Sequence, residues 1–479
     1  MLFNSIDFAI FLPIVFILYW FATDKNLKLQ NFLIVVASYL FYSWWDWRFL
    51  SLILFSTLID YSIGIRLSKE ENISKRKILL WISILVNLGF LGFFKYYNFF
   101  LDNFITAFSL FGSPINVQGL NIVLPVGISF YTFQTLSYTI DVYKRKLKPT
   151  KDFIAFTAFV SFFPQLVAGP IERATNLLPQ FYKKRVFEYH RAVDGLRQIL
   201  WGLFKKIVIA DNSAQIANEI FNNSTDYSGS TLVLGAFFFT FQIYGDFSGY
   251  SDIAIGTSRL FGFNLKQNFA FPYFSRDIAE FWRRWHISLS TWFRDYLYIP
   301  LGGSRGGTWM KLRNTFVIFI VSGFWHGANW TFIVWGALNA IYFLPLLLLK
   351  KNRVNTNIVA QGKYLPTLKE IFNMLTTFAL TVLAWVFFRA ENIGHAWSYL
   401  STIFSKSLFT IPYYSGMKTP ILLILFFIII EWLGRESDYA IENIKNKFNL
   451  ITRWSFYLIL IILIGLYKGE NQQFIYFQF

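Results

Sequence analysis

The sequence ILLWISILVNLGFLGFFKYY occupies residues 78–97 and directly follows the basic stretch RLSKEENISKRK at residues 66–77. About twenty mostly apolar residues are enough for one α-helix to cross the hydrocarbon core of a bilayer, which is roughly 30 Å thick. Lys and Arg concentrate in the loops on the cytoplasmic side of such helices. The two stretches together predict a membrane-spanning helix that begins at a cytoplasmic loop.

Similar apolar stretches recur along the chain. Hydrophobic residues make up 55% of the 479 residues and aromatic residues 21%, which is more apolar surface than a soluble domain can bury. Candidate spans lie near 5–22, 29–47, 49–66, 78–97, 122–142, 152–170, 196–210, 230–246, 247–264, 314–331, 332–349, 370–388, 420–434 and 454–468. Some are short or interrupted by Pro and Gly, so we expect re-entrant segments among them. The sequence predicts one all-α polytopic membrane domain over residues 1–479, with about ten to twelve crossings.

The net charge of +17 comes from basic residues that cluster between the apolar stretches. This distribution is typical of cytoplasmic loops rather than of a nucleic-acid-binding surface. The basic segments at 66–77, 144–151, 173–206 and 350–369 should therefore face the cytoplasm. Residues 98–122 and 207–258 contain no Lys or Arg. The resulting topology places the N-terminus and the tail, residues 469–479, outside the cytoplasm.

His326 is the first catalytic candidate among four histidines. It lies in SGFWHGANW, residues 322–330. Imidazole exchanges protons near neutral pH, and an ionisable group inside a membrane segment is a functional candidate. The alternative is a structural histidine hydrogen-bonded inside a helix bundle, and the pattern alone leaves both open. We expect His190, in a basic stretch, and His395, in an outer loop, to be ordinary solvated residues.

His286 is the second candidate, and it lies in FWRRWHISLSTWFRDYLYIPLGG, residues 281–303. This stretch also contains Arg283, Arg284 and Arg294, so it cannot face lipid and should be buried or interfacial on the cytoplasmic side. Guanidinium groups bind phosphate well, which suggests a site for an anionic acyl donor. The alternative, which the pattern alone favours, is a membrane-surface helix with aromatic and basic residues.

Asp246 and Asp252 lie in YGDFSGYSD, residues 244–252. We expect a broken helix that lines a polar interior there, with carboxylates that orient a base or a substrate. The alternative, slightly favoured, is that each carboxylate pairs with an arginine. In FFPQLVAGPIERA, residues 162–174, Glu172 is expected to support a re-entrant loop.

The C-terminal sequence FIYFQF, residues 474–479, contains four aromatic residues. Such a tail should dock into an apolar cleft on the outer face rather than remain in water. Docking would direct the hydroxyl of Tyr476 toward that cleft, although packing alone is an equally open interpretation. The chain has no cysteine, and its few histidines do not cluster with carboxylates, so we predict no metal site.

Taken in order, these motifs are similar to those of the membrane-bound O-acyltransferase (MBOAT) family. The resemblance is to its bacterial alginate O-acetyltransferase branch, which includes the membrane subunit of peptidoglycan O-acetylation. It covers essentially the whole chain and is carried by FLPIVFILYW (11–20), LPVGISFYTFQTLSYTIDVY (124–143) and the motifs quoted above. The resemblance implies a multi-pass protein of the bacterial cytoplasmic (inner) membrane, with helices in a ring around a central catalytic funnel.

The resemblance also implies an activity. His326 matches the family's near-invariant histidine, and His286 matches a second position on the donor side. Acetyl-CoA or another cytoplasmic thioester would be the donor, with no permanently bound cofactor, and the acceptor would be a cell-envelope polysaccharide such as alginate or peptidoglycan. A periplasmic serine esterase-like (SGNH-type) partner commonly completes the transfer. Tyr476 matches a tail motif whose tyrosine is a proposed acyl acceptor in related D-alanyl transfer systems.

We therefore predict that acetyl-CoA docks near Arg283, Arg284 and Arg294, beside His286. His326 would act as the general base on the attacking hydroxyl. A transporter or flippase of an envelope precursor is an alternative, weakened because the chain shows no internal repeat. D-alanyl transfer to a surface polymer is another.

Overall fold

A computed structural model describes residues 1–112, 116–469 and 472–475. Helices account for 73% of the chain, and no strand occurs within those ranges. The predicted all-α fold class is confirmed. The chain divides into two compact units, which are described separately. Unit 1 comprises Met1–Ala192 and Ser258–Leu265, and unit 2 comprises Val193–Thr257 and Lys266–Phe479.

The described part of unit 1 begins with long apolar helices and ends with short ones. Its α-helices are α1 (Ile6–Ile17), α2 (Leu27–Asp46), α3 (Leu50–Lys69), α4 (Ile73–Leu91), α5 (Tyr97–Leu110), α6 (Ile128–Tyr143), α7 (Phe153–Ser161), α8 (Phe163–Leu166) and α9 (Ala174–Leu177). π-helical turns follow α1 (Leu18–Ala22) and join α4 to α5 (Gly92–Tyr96), and 3₁₀ turns occur at Trp47–Phe49 and Leu178–Tyr182.

Unit 2 contains the later helices, except that the first residues of α10 and the last residues of α12 belong to unit 1. They are α10 (Tyr189–Leu203), α11 (Asp211–Asn222), α12 (Gly229–Leu260), α13 (Ile278–Arg284), α14 (Ile287–Phe293), α15 (Thr308–His326), α16 (Trp330–Leu348), α17 (Leu368–Arg389), α18 (Ile393–Ile403), α19 (Lys418–Gly434), α20 (Ile444–Lys447) and α21 (Leu450–Leu466). π-helical turns lie at Phe204–Ala210 and Arg294–Tyr298, and 3₁₀ turns at Ser224–Asp226, Pro272–Phe274 and Lys406–Phe409.

Asparagine side chains set where several of these apolar helices begin. An asparagine oxygen at the N-cap accepts a hydrogen bond from a backbone N–H of the first turn, which would otherwise lack a partner. This arrangement occurs at α2, α4, α16, α18 and α21, through Asn26, Asn72, Asn329, Asn392 and Asn449. Each cap marks a point at which the chain leaves a loop and enters an apolar helix.

Several helical stretches have the length and composition of membrane spans. Among the described residues, four meet both criteria, namely Leu27–Lys69, Ile73–Leu110, Trp330–Leu348 and Leu368–Arg389, and three shorter apolar stretches are Ile6–Ala22, Phe153–Leu166 and Leu450–Leu466. Their apolar side chains also point outward: Leu85 in α4 is 66% exposed and Leu458 in α21 is 57% exposed. An apolar outer surface is what lipid requires. The chain is a multi-pass membrane protein, while the expected ten to twelve crossings stay a prediction.

The expected break in YGDFSGYSD is wrong, because α12 runs without interruption through residues 244–252. The glycines there serve close helix packing instead. A Cβ added at Gly249 would lie 2.8 Å from the carbonyl oxygen of Gly202, and one added at Gly202 would lie 2.6 Å from that of Gly249. Glycine lets two membrane helices approach at backbone distance, so α12 and α10 are held together here.

Candidate active site

His286 lies at the junction of α13 and α14 in a strained backbone conformation. Its φ of 44° and ψ of 54° fall in the left-handed region, which residues other than glycine and asparagine rarely adopt. The side chain is only 1% exposed, and its Nδ1 lies 3.2 Å from Oδ1 of Asn268. Such a conformation persists only where many surrounding contacts hold the backbone in place, and it is common at functional sites.

Asn268 fixes the proton on this imidazole. The backbone N–H of Ser288 donates to Oδ1 of Asn268 at 3.3 Å, so that atom is the amide oxygen and not the nitrogen. His286 Nδ1 must then carry the proton and donate it to Asn268. Burial lowers the pKa of His286, which lies outside the candidate spans, and the ring is neutral. Its Nε2 has a lone pair and no hydrogen-bond partner among the described residues.

His326 is the last residue of α15, which pairs tightly with α16. A Cβ at Gly323 would clash with the backbone oxygen of Phe332, and one at Gly327 would clash with the Phe332 ring. The two glycines that flank His326 therefore leave room for the close approach of α16. The imidazole is 3% exposed and is surrounded by aromatic rings, with ring centroids at 4.9–5.4 Å from Trp325, Trp335 and Phe388.

The two histidines form a single buried pair. Their ring centroids are 6.4 Å apart, and the indole of Trp325 lies 6.1 Å from His286 and 4.9 Å from His326. A separation of 6.4 Å is a small fraction of the roughly 30 Å hydrocarbon core. The two histidines therefore belong to one buried site.

The two aspartates of α12 pair with lysines, so the favoured pairing with arginines is wrong. Nζ of Lys205 lies 2.6 Å from Oδ2 of Asp252, and Nζ of Lys206 lies 2.8 Å from Oδ1 of Asp246. The lysines belong to the helical turn Phe204–Ala210 and are buried, not part of a cytoplasmic loop. The sequence analysis assigned both lysines to the basic segment 173–206, although FKKIVIA (204–210) places them among apolar residues.

The three arginines proposed to bind the donor all have partners within the protein. Arg284 pairs with the buried Glu280 at 2.9 Å, and Arg294 pairs with Asp295 at 2.7 Å. Arg283 donates to the backbone carbonyls of Asn352 and Asn355, at 2.8 and 2.6 Å. These contacts hold local structure. A role in binding the donor stays a proposal.

The two described residues of FIYFQF are buried, while docking of the tail on the outer face stays a prediction. Phe474 and Ile475 are each 1% exposed, and the ring of Phe474 packs 4.8 Å from Tyr250 and 6.3 Å from Phe247. The ring of Phe247 lies 4.6 Å from His286. Tyr476 lies outside the described residues.

The remaining predicted residues are Glu172, His190 and His395. Glu172 belongs to unit 1, where it is buried and accepts a hydrogen bond from Asn176 at 2.6 Å. His190 is exposed, as predicted. His395 is half-buried and lies 3.2 Å from the hydroxyl of Ser224, so it is not simply solvated.

A separate apolar pocket of about 300 Å³ lies among α12, α17 and α19. Its lining includes Phe241, Phe378 and Phe427, and its polar end is formed by Tyr244, whose hydroxyl donates to Glu431 at 2.6 Å. Neither histidine lines this pocket. The two histidines therefore lie outside this pocket.

A family model described as "MBOAT, membrane-bound O-acyltransferase family" matches residues 143–388. This range is more than half of the chain and contains both buried histidines. The chain belongs to the membrane-bound O-acyltransferase family. It is an O-acyltransferase, and membership in this family of enzymes speaks against the transporter alternative.

Relatives within the family extend the match to most of the chain. It is 39% identical to "Probable alginate O-acetylase AlgI" of Azotobacter vinelandii, over 92% of this chain and 86% of the relative. It is 42% identical to the protein of the same name in Pseudomonas aeruginosa, over 85% and 75%. Identity to "Peptidoglycan O-acetyltransferase" of Helicobacter pylori is 37%, over 83% and 78%. These names agree with the predicted branch of the MBOAT family.

Proposed function

We propose that this MBOAT enzyme transfers an acetyl group from acetyl-CoA toward hydroxyl groups of a cell-envelope polysaccharide such as alginate or peptidoglycan, at the bacterial inner membrane. The single observation that supports this most strongly is the pair of buried imidazoles 6.4 Å apart within an O-acyltransferase chain. The names of the relatives support acetyl as the acyl group.

In the proposed reaction, His326 acts as general base. It takes the proton of the attacking hydroxyl while that oxygen bonds to the thioester carbonyl carbon. The carbon–sulfur bond then breaks, and the proton passes from the imidazolium to the sulfur of CoA. The products are an acetyl ester and the free CoA thiol. The Nε2 lone pair of His286 is a second proton acceptor within the same site.

The remaining participants of this reaction are also proposals. Arg283, Arg284 and Arg294 would attract the phosphates of CoA on the cytoplasmic side. A periplasmic SGNH-type esterase-like partner would complete the transfer to the polysaccharide. Asp246 and Asp252 would support the site through the helix that also carries Phe247.

Release of CoA tests the proposal. Purified enzyme in lipid vesicles is given acetyl-CoA and polysaccharide, and the free thiol is titrated while the polymer is analysed by mass. We expect thiol release that depends on the acceptor and a gain of one acetyl mass per modified hydroxyl. Thiol release without acetylated product, or transfer only of D-alanyl from a D-alanyl thioester, would contradict the proposed activity.

Tyr476 is proposed as a transient acyl acceptor, and Tyr476→Phe tests this. The variant keeps the aromatic ring and loses the hydroxyl. We expect polymer acetylation to be lost while the membrane content of the protein is unchanged. Wild-type acetylation in this variant would restrict the tail to a structural role.

A further inference from the structure

The ammonium of Lys206 lies at the centre of a buried charged cluster in unit 2. Its Nζ is 2.8 Å from Oδ1 of Asp211 and 2.8 Å from Oδ1 of Asp246, and the three side chains are only 3–5% exposed. Two carboxylates therefore share one ammonium away from water. Buried charges are stable only when they are paired and hydrogen-bonded, so the other polar atoms of the cluster need partners as well.

The C-terminal segment 472–475 provides two of those partners. The backbone N–H of Ile475 donates to Oδ2 of Asp246 at 2.8 Å, and Nζ of Lys206 donates to the carbonyl oxygen of Gln472 at 3.3 Å. Both contacts are to backbone atoms, at the two ends of the segment. Such contacts set the position of the segment along the protein without depending on its side chains.

Between the two hydrogen-bonded residues, aromatic packing also holds the segment against α12. Phe474 lies against Tyr250 and Phe247 on α12, and Phe247 in turn contacts His286. Asp246 is the neighbour of Phe247 in sequence. The same turn of α12 therefore holds the tail backbone and contacts the candidate catalytic histidine.

We propose that Lys206 and Asp246 form a tail clamp, which holds residues 472–475 one aromatic ring away from His286. Asp211 is the second counter-ion of Lys206 and makes no hydrogen bond to residues 472–475 within the described structure. The members of the tail clamp are positioning residues. Docking itself needs no acyl donor, while its importance for acyl transfer rests on the proposed function.

Thiol accessibility tests the tail clamp directly, because the natural chain contains no cysteine. Ile475→Cys places a single thiol at a position that is 1% exposed, and burial suppresses its reaction with a maleimide. Asp246→Ala removes the acceptor for the residue 475 N–H and leaves Lys206 paired with Asp211. We expect maleimide labelling of this thiol to become at least about tenfold faster in Asp246→Ala, because a hydrogen bond to a charged group is lost.

Asp211→Ala is the matched control, since it removes the other carboxylate from the same ammonium. It should leave the labelling rate near that of the parent. Asp246→Asn, which keeps a neutral acceptor oxygen, should accelerate labelling less than Asp246→Ala. A thiol introduced by Ile411→Cys, at a position 90% exposed, should label quickly in every background and reports reagent activity.

A second variant removes the same hydrogen bond from the tail side, in case Asp246→Ala does not fold. Ile475→Pro lacks the N–H and leaves the charged cluster intact. The reporting thiol is then introduced by Phe474→Cys, and its labelling is measured with and without Ile475→Pro. We expect the same acceleration as with Asp246→Ala. Unchanged labelling in both backgrounds, or equal acceleration by Asp211→Ala, would overturn the tail clamp. Because no acetyl-CoA is present, neither result depends on the proposed acetyl transfer.

Discussion

Asn268 determines which nitrogen of His286 can accept a proton. Its oxygen receives hydrogen bonds from Ser288 and from Nδ1 of His286, and its own Nδ2 donates to Ser251 at 3.1 Å. This chain of bonds leaves Nε2 as the proton acceptor. An imidazole held in one tautomer and one orientation is suited to proton transfer.

We expect Asn268→Ala to lower the rate of acetyl transfer by about 10²-fold, since the imidazole then loses the partner that fixes its tautomer. The rate of CoA thiol release measures this change. Ser251→Ala is the matched control, because it removes a partner of Asn268 and leaves the bond to His286. If Ser251→Ala lowered the rate of thiol release as much as Asn268→Ala, the loss would indicate general damage to packing.

The sequence predicted both histidines but not the groups around them. His326 and His286 stand out because ionisable residues are rare in apolar sequence. Asn268 precedes His286 by eighteen positions and lies in no periodic pattern, so only the tertiary structure reveals the contact. The Lys206–Asp246 pair is missed for the same reason, since its two partners come from different helices.

At the scale of elements, glycine contacts between α10 and α12 align the lysines with the aspartates. Gly202 and Gly249 bring the two backbones together, and the pairs Lys205–Asp252 and Lys206–Asp246 lie on the same two helical segments. The sequence favoured a broken helix because glycine and serine lower helix propensity. Packing between helices outweighs that preference here.

Gly249→Ala should lower the stability of the protein by about 1–3 kcal/mol, because the added methyl group would overpack the contact with Gly202. Thermal unfolding in detergent measures the change. Gly465→Ala in α21 is the control, since nothing lies within 4 Å of its added Cβ. If both variants unfold at the same temperature, the close contact between α10 and α12 does not contribute as described.

At the scale of the whole molecule, we expect the charge distribution to orient the chain in the bilayer. The all-α fold and multi-pass character could be predicted from apolar stretches alone, because lipid imposes a length and a composition on each span. The ends of the helices could not be predicted in this way, since they depend on caps such as Asn72 and on π-helical turns. The orientation remains a prediction from the positive-inside rule.

A thiol introduced by Ser74→Cys, in the basic segment 66–77, should be protected from a membrane-impermeant maleimide in intact spheroplasts. One introduced by Ile411→Cys should react, because it lies in the same loop as His395, which is expected outside. Both positions are exposed, so burial does not confound the comparison. Reaction of the Ser74→Cys variant and protection of the Ile411→Cys variant would reverse the topology.

The most direct test of acyl transfer at the histidine pair is CoA thiol release from acetyl-CoA by His326→Ala enzyme in vesicles with acceptor. Loss of the general base should reduce the rate by about 10²–10⁴-fold, with the protein still folded and in the membrane. His190→Ala, at an exposed position, should keep the wild-type rate. A folded His326→Ala enzyme that releases CoA and acetylates the polymer at the wild-type rate would contradict the assignment of His326 as the base.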